Sequence, residues 1–324
     1  MIKKLLIYTS KDHNPYNNLA KEKLLFDSVK EDEMILYLWQ NKNTVVIGQN
    51  QNAYAECPTE LLKADGIHLA RRLSGGGAVF HDLGNLNFTF ISSAENQSTQ
   101  NNLKIISLAC KMCQIEAEVS GRNDILADGR KFSGNAFYNS KGKAYHHGTI
   151  LICADTDKVS RYLTPSEAKL KAKGVKSVRS RIINLCELNP DITCDIMREN
   201  LKKAFKEFYG IEPQIIEDLN AEEIKTLSQK YQSTEYLFGT QPPFEIEFSN
   251  RFEWGSLTIG LSVEKGIIKN IAVFTDSMDF DLAEKVKSAL FACRFEKHSI
   301  KENLEKVLDK TIAKDIVNLF KESL

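Results

Sequence analysis

The sequence has no excess of charge of either sign, because its 43 lysine and arginine residues equal its 43 aspartate and glutamate residues. Proteins that bind nucleic acid through bulk electrostatics usually carry a clear basic excess. The composition therefore gives no support for nucleic-acid binding, and any site for an anion must be built locally.

Long apolar runs are also lacking: no stretch is long enough to span a bilayer, and the opening MIKKLLIYTSKDHNPYN is too polar for a signal peptide. Cysteines are odd in number and irregularly spaced, at positions 57, 110, 113, 153, 186, 194 and 293. Disulfide frameworks of secreted domains show even numbers and regular spacings. We therefore expect free thiols, a cytoplasmic location and no membrane partner.

The remaining composition is that of an ordinary globular protein, with 42% apolar and 27% charged residues in 324. This length predicts one large domain and a smaller one. The pattern breaks at GTQPP, where Pro242-Pro243 favours an extended connector. We predict an α+β fold: a large domain with mixed and antiparallel sheets and packed helices over 1–240, a linker over 241–248, and a small α+β domain over 249–324.

The glycine-rich segment RRLSGGGAVFHDLGNLNF, residues 71–88, is the most informative stretch. Three consecutive glycines let the backbone approach a ligand closely and let its N–H groups converge on an anion. Arg71 and Arg72 precede them and can add charge-assisted hydrogen bonds to phosphate. A surface turn would explain the glycines alone, but the arginines and the apolar residues 78–80 favour a binding site. The spacing is neither that of a P-loop nor that of a dinucleotide fingerprint.

The same segment continues into GNLNFTFIS, where apolar and polar residues alternate with period two from Gly84 to Ser92. This alternation predicts a half-buried strand. Residues 101–119 change to a helical period, and Cys110 and Cys113 lie on its apolar stripe. A single C-x-x-C on such a stripe indicates core cysteines rather than zinc or redox chemistry.

A second segment, GRNDILADGRKFSGNAF at residues 121–137, reads as a hairpin. Its strands are predicted over Asp124–Ala127 and Lys131–Tyr138, and Asp128-Gly129 between them is a strong two-residue turn signal. Period-two alternation places the side chains of Lys131 and Ser133 on the same face.

Two polar groups in this hairpin are candidates for chemistry. Asn123 and Asp124 offer hard oxygen ligands of the kind that Mg²⁺ uses together with water and phosphate. Lys131 can present a cation beside the open space left by Gly134. On their own, a strand lysine is usually solvated and an Asn-Asp pair usually forms a turn or a cap.

The strand predicted over Ala144–Cys153 carries His146 and His147 next to each other. Their rings must point to opposite faces, so only one of them can face a pocket. Beyond this strand, a capping-box start at Thr164 predicts a helix that Gly174 closes. The segment KLKAKGVKSVRSR, residues 169–181, has six cationic side chains and fits a loop that closes over phosphates as well as it fits a solvated helix end.

In the C-terminal part, strands are predicted over Phe252–Val263 and Ile267–Phe274, joined by a turn at residues 264–266. Two helices follow, near Leu282–Phe291 and over Glu302–Leu319. This order predicts the small α+β domain.

Together and in this order, the segments resemble the lipoate-protein ligase A family of the biotin and lipoate cofactor transferase superfamily. The resemblance runs through RRLSGGGAVFHDLGNLNF, GRNDI, GRKFSGNAF, HHGTILI and KGVKSVRSRIINL, and continues in FEWGSLTIGLSVEKGIIKNIAVFTDS beyond the proline pair. It implies that residues 1–240 form the catalytic domain and residues 249–324 the accessory domain. One departure from some members is a short connection between Asp124 and Lys131.

The resemblance implies a two-step reaction. The lipoate carboxylate attacks the α-phosphate of ATP to give lipoyl-adenylate and pyrophosphate, and a lysine of a lipoyl domain then attacks the mixed anhydride and releases AMP. The implied cofactors are ATP and Mg²⁺. The implied acceptors are the lipoyl domains of 2-oxoacid dehydrogenase E2 subunits and the glycine cleavage H protein.

Carried over by position, the resemblance makes Lys131 the catalytic residue, which holds both the lipoate carboxyl oxygen and the α-phosphate. The residues implied to bind ATP and lipoyl-adenylate are Arg72, Gly75, Gly76, Gly77, Ala78, Val79, Phe80, Lys131, Lys176 and Arg179. The residues implied to bind lipoate are Arg71, Ser74, His81, Lys131, Ser133, Gly134, His147 and Thr149. Asn123 and Asp124 are implied near the metal, and residues 164–182 as a loop that closes over the adenylate.

Three other functions stay open on the sequence. An octanoyltransferase of the same superfamily would use a cysteine thioester and no ATP, and Cys153 is the cysteine closest to the matched motifs. A non-catalytic lipoate-binding protein would bind lipoate without forming AMP. Biotin ligation is disfavoured, because the matched motifs are those of the lipoate branch.

Overall fold

The computed structural model describes residues 1–120, 124–164, 182–239 and 244–320. Within these ranges the chain forms a large α+β domain followed by a small α+β domain, which confirms the predicted fold class. Several predicted features lie outside the described residues: Asn123, Lys176, Arg179, the helix up to Gly174 beyond its first residue Thr164, the basic segment 169–181 and the proline pair.

An eight-stranded sheet forms the frame of the large domain. Its strands are β1 (Lys4–Thr9), β2 (Glu33–Trp39), β6 (Asn85–Ser93), β7 (Glu118–Ser120), β8 (Asp124–Ala127), β9 (Arg130–Ser140), β10 (Lys143–Leu151) and β11 (Gln214–Ile215). Their spatial order is β11-β1-β2-β6-β10-β9-β8-β7. The β1 strand runs parallel to both neighbours, and the pairs from β2 to β7 are antiparallel.

The central strand β6 is buried on both faces, so the prediction of a half-buried strand was wrong. Leu86, Phe88 and Phe90 pack into the main core, but the alternate polar residues Asn87 and Thr89 are also buried. Helices cover both sides of the sheet, and the polar side chains of β6 lie on the face that carries the functional site described below.

A three-stranded sheet, β3 (Thr44–Ile47), β4 (His68–Arg71) and β5 (Val79–His81), packs beside the large one in the order β4-β3-β5. The β3 strand pairs in parallel with β4 and antiparallel with β5. Residues 72–78, the glycine-rich loop, connect β4 to β5. Because both flanking strands pair with β3, the two ends of this loop are fixed on opposite sides of that strand.

The helices of the large domain are α1 (Pro15–Ser28), α2 (Ala53–Glu56), α3 (Thr59–Ala64), α4 (Thr99–Lys111), α5 (Thr156–Tyr162), α6 (Cys194–Tyr209), α7 (Ala221–Tyr231) and α8 (Thr234–Phe238). The α1 helix begins with Pro15 at its first position, and the Asn14 side chain caps it. Residues of α1 pack with Tyr37 and Trp39 on one face of the large sheet, whereas α4 and α6 contribute to the core on the other.

The α4 helix is shorter than predicted. It ends at Lys111, Gln114 has a φ of 59°, and residues 118–120 form β7, so the periodic pattern up to residue 119 spans a helix and a strand. Cys110 and Cys113 are both buried in the core, as predicted.

The small domain contains the antiparallel strands β12 (Ile246–Phe252), β13 (Gly255–Glu264) and β14 (Ile267–Thr275), and the helices α9 (Leu282–Leu290), α10 (Lys297–Glu305) and α11 (Lys310–Leu319). The prediction of a single helix over 302–319 was wrong. The helix is interrupted at residues 306–309, and Asp309 caps a new helix by accepting the Thr311 N–H. In the part of the chain that the structure describes, no helix is both long and apolar enough to cross a membrane.

Candidate active site

The glycine-rich loop is held from the inside by Arg72. Its Nη2 donates to the carbonyls of Gly75 at 2.7 Å and Gly77 at 2.8 Å, and its Nε donates to Ser74 Oγ at 3.0 Å. Burial lowers the pKa of Arg72 to about 10, so the side chain remains a cation at neutral pH. The fold therefore shapes the loop around a fixed charge.

Arg71, immediately before the same loop, donates hydrogen bonds to backbone carbonyls of segments that are distant in sequence. The residue is 7% exposed, and its guanidinium donates to carbonyls at 2.7–3.1 Å. These carbonyls belong to Gly48, Gln49, Gln51, Tyr236 and Leu237. The structure thus gives Arg71 a bracing role, and its part in lipoate binding stays a prediction.

The backbone around the triplet is packed too closely for side chains. A Cβ on Gly48 would lie 2.3 Å from the carbonyl oxygen of Gly76, and one on Gly75 would lie 2.3 Å from that of Ser277. Gly76 has a φ of 88°, which favours glycine. Gly48 reads in the sequence only as part of a turn, because its contact with the loop forms through tertiary packing.

Lys131 lies across Gly134 on the hairpin formed by β8 and β9. Its Nζ is 2.6 Å from Asp124 Oδ1, and the two side chains are 34% and 31% exposed. A Cβ on Gly134 would lie 3.1 Å from this Nζ, so the glycine makes room for the amine. The Gly134 N–H donates to Thr149 Oγ1 at 3.2 Å, which places Thr149 beside the same group.

A register shift in this hairpin sets the face on which Lys131 lies. Ile125 pairs with Ser133 but Leu126 pairs with Lys131, so Phe132 is an extra residue in β9. Lys131 therefore shares a face with Gly134, and Ser133 points to the opposite side. The prediction that Lys131 and Ser133 share a face was wrong, because alternation fails at a bulge. Ser133 is buried, and its lipoate-binding role stays a prediction.

His147 connects the large sheet to the glycine-rich loop. Its Nε2 is 2.7 Å from Ser74 Oγ, and its Nδ1 is 2.9 Å from Glu22 Oε1. Thr89 Oγ1 donates to the same Glu22 oxygen at 2.7 Å, and all four side chains are buried. Since a carboxylate only accepts, we place the ring proton on Nδ1, which lets the Ser74 hydroxyl donate to Nε2.

Glu22 is a site residue that the sequence does not reveal, because a single glutamate on a helix carries no signal of burial. Its burial follows from the sheet: α1 lies against β6 and β10, which bring Thr89 and His147 to this carboxylate.

His146 confirms the prediction that the rings of the two adjacent histidines point to opposite faces of the sheet. Its Nε2 binds Asn135 Oδ1 at 2.8 Å on the core face, and burial lowers its pKa to about 3.

His81 follows the loop and is 3% exposed. The Asn41 side-chain amide lies 3.3 Å from its Nδ1, so Nδ1 accepts and Nε2 carries the proton. Burial lowers the pKa of His81 to about 3, and among the described residues its Nε2 has no hydrogen-bond partner. A buried N–H without a partner is what a ligand acceptor would satisfy.

The apolar residues after the triplet face different clusters. Val79 packs with the group that includes Tyr37 and Trp39, whereas Phe80 stacks on Tyr162 with ring centroids 5.5 Å apart. Ala78 is partly buried beside Phe80. Their predicted contacts with nucleotide or lipoate remain predictions.

The small domain covers the glycine-rich loop with residues 275–280. The Gly76 N–H donates to Ser277 O at 3.1 Å, and the Asn50 side chain donates to Phe280 O at 2.6 Å. A Cβ on Gly76 would lie 3.2 Å from Met278 Sδ. This contact cannot be read from the sequence, because its partners are about two hundred residues apart.

Of the two residues predicted to lie near the metal, one lies within the described residues. Asp124 is described, but Asn123 is not, and within the described ranges no group of three His, Cys, Asp or Glu residues could hold a metal ion. One carboxylate together with substrate phosphates is nevertheless a usual arrangement for Mg²⁺. The residues present therefore fit that ion bound with a nucleotide.

These groups meet on one face of the large sheet. Asp124, Lys131, Thr149 and His147 lie on that face, and a Cβ on Gly76 would be 4.0 Å from the Ala136 Cβ between them. The arrangement combines a glycine loop shaped by a buried arginine, a fixed lysine and an adjacent carboxylate. It can bind an anionic nucleotide next to a second, partly apolar substrate.

Comparisons with known proteins agree with this geometry. Residues 14–206 match the family model described as "Lipoyl protein ligase A/B catalytic domain", and residues 241–320 match "Bacterial lipoate protein ligase C-terminus". The fold is thus that of a lipoyl protein ligase with a large catalytic domain and a C-terminal domain. The lipoate-protein ligase A of Psychrobacter cryohalolentis is 38% identical over 314 residues, which cover 94% of this chain and 93% of the relative. The chain belongs to the lipoate-protein ligase A family.

Two solved structures support the same assignment. The crystal structure of P. falciparum LipL1 in complex with lipoate has a TM-score of 0.85 and 32% identity, covering 98% of this chain and all of that one (100%). A lipoate-protein ligase A bound with ATP has a TM-score of 0.62 and 27% identity, covering 74% of this chain and 99% of that one.

Proposed function

We propose that the protein joins lipoate to acceptor proteins in two steps. ATP activates the lipoate carboxylate as lipoyl-adenylate with release of pyrophosphate, and a lysine of a lipoyl domain then takes the lipoyl group and releases AMP. The observation that carries the proposal is the placement of Lys131 Nζ, 2.6 Å from Asp124 Oδ1, on the sheet face that the glycine-rich loop covers. Family membership supplies the substrate class.

Lys131 acts in this proposal as a preorganised cation. A carboxylate is a poor acyl electrophile, and its attack on phosphorus develops negative charge on the α-phosphate. An ammonium held across Gly134 stabilises that charge without having to reorganise. The amides of Gly75 and Gly77 contribute donors in this proposal, whereas the Gly76 N–H already donates to Ser277 O. Arg72 keeps the loop in the required shape.

The lipoate site is proposed on the side of the loop where His81 and His147 lie. His81 offers a buried Nε2–H. His147 and Ser74 form a polar surface and are hydrogen-bonded to each other. The apolar part of the substrate needs a largely hydrophobic cavity with few polar groups. Val79 and the cluster containing Trp39 supply such a surface.

Mg²⁺ is proposed to enter with ATP, with Asp124 as its protein ligand and Asn123 as a second candidate. When bound, it would neutralise phosphate charge. The Asp124 carboxylate also holds Lys131 in place, so one side chain serves both cations.

The proposed acceptors are lipoyl domains, including those of 2-oxoacid dehydrogenase E2 subunits and the glycine cleavage H protein. The cytoplasm is the proposed location, supported by seven cysteines that are all free thiols. We also propose that the catalytic domain comprises residues 1–240, the linker 241–248 and the accessory domain 249–324; the last domain has its own hydrophobic core, drawn from β13 to α11.

One experiment tests the activity: mass spectrometry of a lipoyl domain incubated with the protein, lipoate and Mg-ATP. We expect a single lipoyl addition that requires ATP, and lipoate-dependent exchange of pyrophosphate into ATP. Cys153→Ser should retain both activities. Acyl transfer without ATP that this substitution abolishes would instead establish a thioester mechanism, and lipoate binding without AMP formation would establish a binding protein. Competition between biotin and lipoate tests the choice of substrate.

A further inference from the structure

Two cysteines far apart in sequence meet at the end of β10. The Sγ atoms of Cys153 and Cys186 are 2.7 Å apart. Cys153 is exposed and Cys186 half-buried, in contrast to Cys57, Cys110 and Cys113, which are buried. Buried apolar thiols are generally inert, whereas accessible paired thiols react. The lipoyl-transfer site described above uses neither member of the Cys153–Cys186 pair.

The backbone holds both residues of this pair in place. The Cys186 N–H donates to Ile152 O at 2.9 Å, and the Asn184 side chain binds both the N–H and the carbonyl of Ala154, at 2.8 and 2.9 Å. On the other side, Gly84 O accepts the N–H of Cys153 at 2.9 Å. A disulfide needs neighbouring backbones with converging Cβ positions, and these hydrogen bonds already provide neighbouring backbones.

The two thiols differ in chemical character. Cys186 donates its S–H to the Cys153 sulfur, and its pKa is raised to about 12, first by burial and then by this hydrogen bond to Cys153. Cys153 is the acceptor and the more exposed of the two. A pair of this kind has an attacking sulfur at the surface and a resolving sulfur behind it.

We propose that Cys153 and Cys186 are a redox-active dithiol that low-molecular-weight disulfides of the oxidised glutathione class convert into an intramolecular disulfide. The Cys153 thiolate attacks one sulfur of the oxidant and releases one thiolate. Cys186 then loses its proton to solvent and attacks the Cys153 sulfur, which releases the second thiolate. Two protein thiols are oxidised by two electrons, and one small disulfide is reduced to two thiols.

The link would fasten the end of β10 to the segment beside the catalytic lysine. Ile182 forms a parallel bridge with Lys131, and the Ile183 N–H donates to Lys131 O at 3.0 Å, a few residues before Cys186. A crosslink between residues 153 and 186 also removes loop entropy from the unfolded chain. We therefore expect the oxidised protein to melt several degrees higher than the reduced protein.

The test uses the full-length protein, reduced, freed of reductant and then exposed to oxidised glutathione over a range of ratios to its reduced form. Remaining thiols are alkylated, and peptides are analysed by mass spectrometry while melting is followed in parallel. We expect a Cys153–Cys186 linked peptide, the loss of two free thiols and a raised melting temperature that dithiothreitol reverses. Cys153→Ser and Cys186→Ser should each abolish the link and the shift.

Cys194→Ser is the matched control, because Cys194 is also half-buried and lies near Cys153. It should leave both the link and the shift intact. A stable glutathione adduct on Cys153 with Cys186 still alkylated would overturn the proposal, and so would a link that joins Cys153 to Cys194. These outcomes are independent of lipoyl transfer, since none of them measures the ligase activity.

Discussion

Lys131 is a charged side chain whose position is set by its neighbours rather than by its own strand. Asp124 holds its Nζ at 2.6 Å, and the absence of a side chain on Gly134 leaves space for the amine. The ion pair is about one third exposed, so it contributes little to stability by itself. Its value lies in presenting a cation at a fixed place.

We expect Lys131→Ala to lower the rate of adenylation by about 10²–10³, because it removes one preorganised electrostatic contact. Lipoate-dependent pyrophosphate exchange measures this step directly. Lys111→Ala, an exposed lysine at the end of α4, is the control and should exchange normally. Near-normal exchange by the Lys131 variant would show that another group carries the charge.

Buried histidines make the stability depend on pH. Burial lowers the pKa of both His81 and His146 to about 3, below the roughly 6.5 of an unfolded chain. Below pH 6.5 the unfolded state therefore binds more protons than the native state, and stability falls as the pH falls towards 3. The slope should be about 1.4 kcal/mol per pH unit for each histidine.

His146→Gln should flatten this dependence between pH 6 and 4, since it removes one of the two histidines whose pKa burial lowers. Urea unfolding at a series of pH values measures the slope. The exposed His298 offers the control substitution His298→Gln. An unchanged slope in the His146 variant would mean that His146 is protonated in the native protein.

At the scale of elements, α1 is tied to the sheet through a buried polar chain rather than through apolar contacts alone. Glu22 accepts from Thr89 on β6 and binds His147 on β10, and His147 in turn binds Ser74 in the loop. Helix, sheet and glycine-rich loop are thereby connected by four side chains.

Glu22→Ala should destabilise the protein by about 1–3 kcal/mol, because it leaves buried groups on Thr89 and His147 without their acceptor. Glu22→Gln keeps an acceptor oxygen and should cost less. The exposed Glu31→Ala provides the control, and urea unfolding measures all three. Equal stability of the Ala variant and the wild type would indicate that solvent replaces the carboxylate.

For the whole molecule, the small domain contacts both the glycine-rich loop and the sheet face of the candidate active site. Ser277 O accepts the Gly76 N–H at 3.1 Å, and the ring of Phe280 lies 4.9 Å from that of Tyr138 on β9. The glycine-rich loop is therefore packed between two domains, and its shape depends on both.

Phe280→Ala should weaken this contact by about 1 kcal/mol or more, since an aromatic pair and its buried area are lost. Calorimetry should then show the small domain unfolding before the large one, and the KM for ATP should rise. Phe291→Ala, in the same domain and 62% exposed, is the control. A single unaltered transition with an unaltered KM would show that Phe280 does not couple the domains.

Local sequence patterns determined much of this structure. The strand Asp124–Ala127 occurs at its predicted bounds, and Asp128 and Gly129 take φ values of 51° and 67°, as a two-residue hairpin turn requires. Strand alternation also placed His146 and His147 on opposite faces. These features depend on residues a few positions apart, which a sequence displays directly.

Tertiary structure alone decided the rest. The bulge at Phe132 turned Lys131 away from Ser133, and packing between distant segments made Gly48 and Ser277 neighbours of the triplet and Glu22 a partner of His147. A bulge depends on how two strands pair, and burial depends on what covers a surface. The sequence therefore determined the glycine-rich loop and the lysine, and the packing of the domains decided how they face each other.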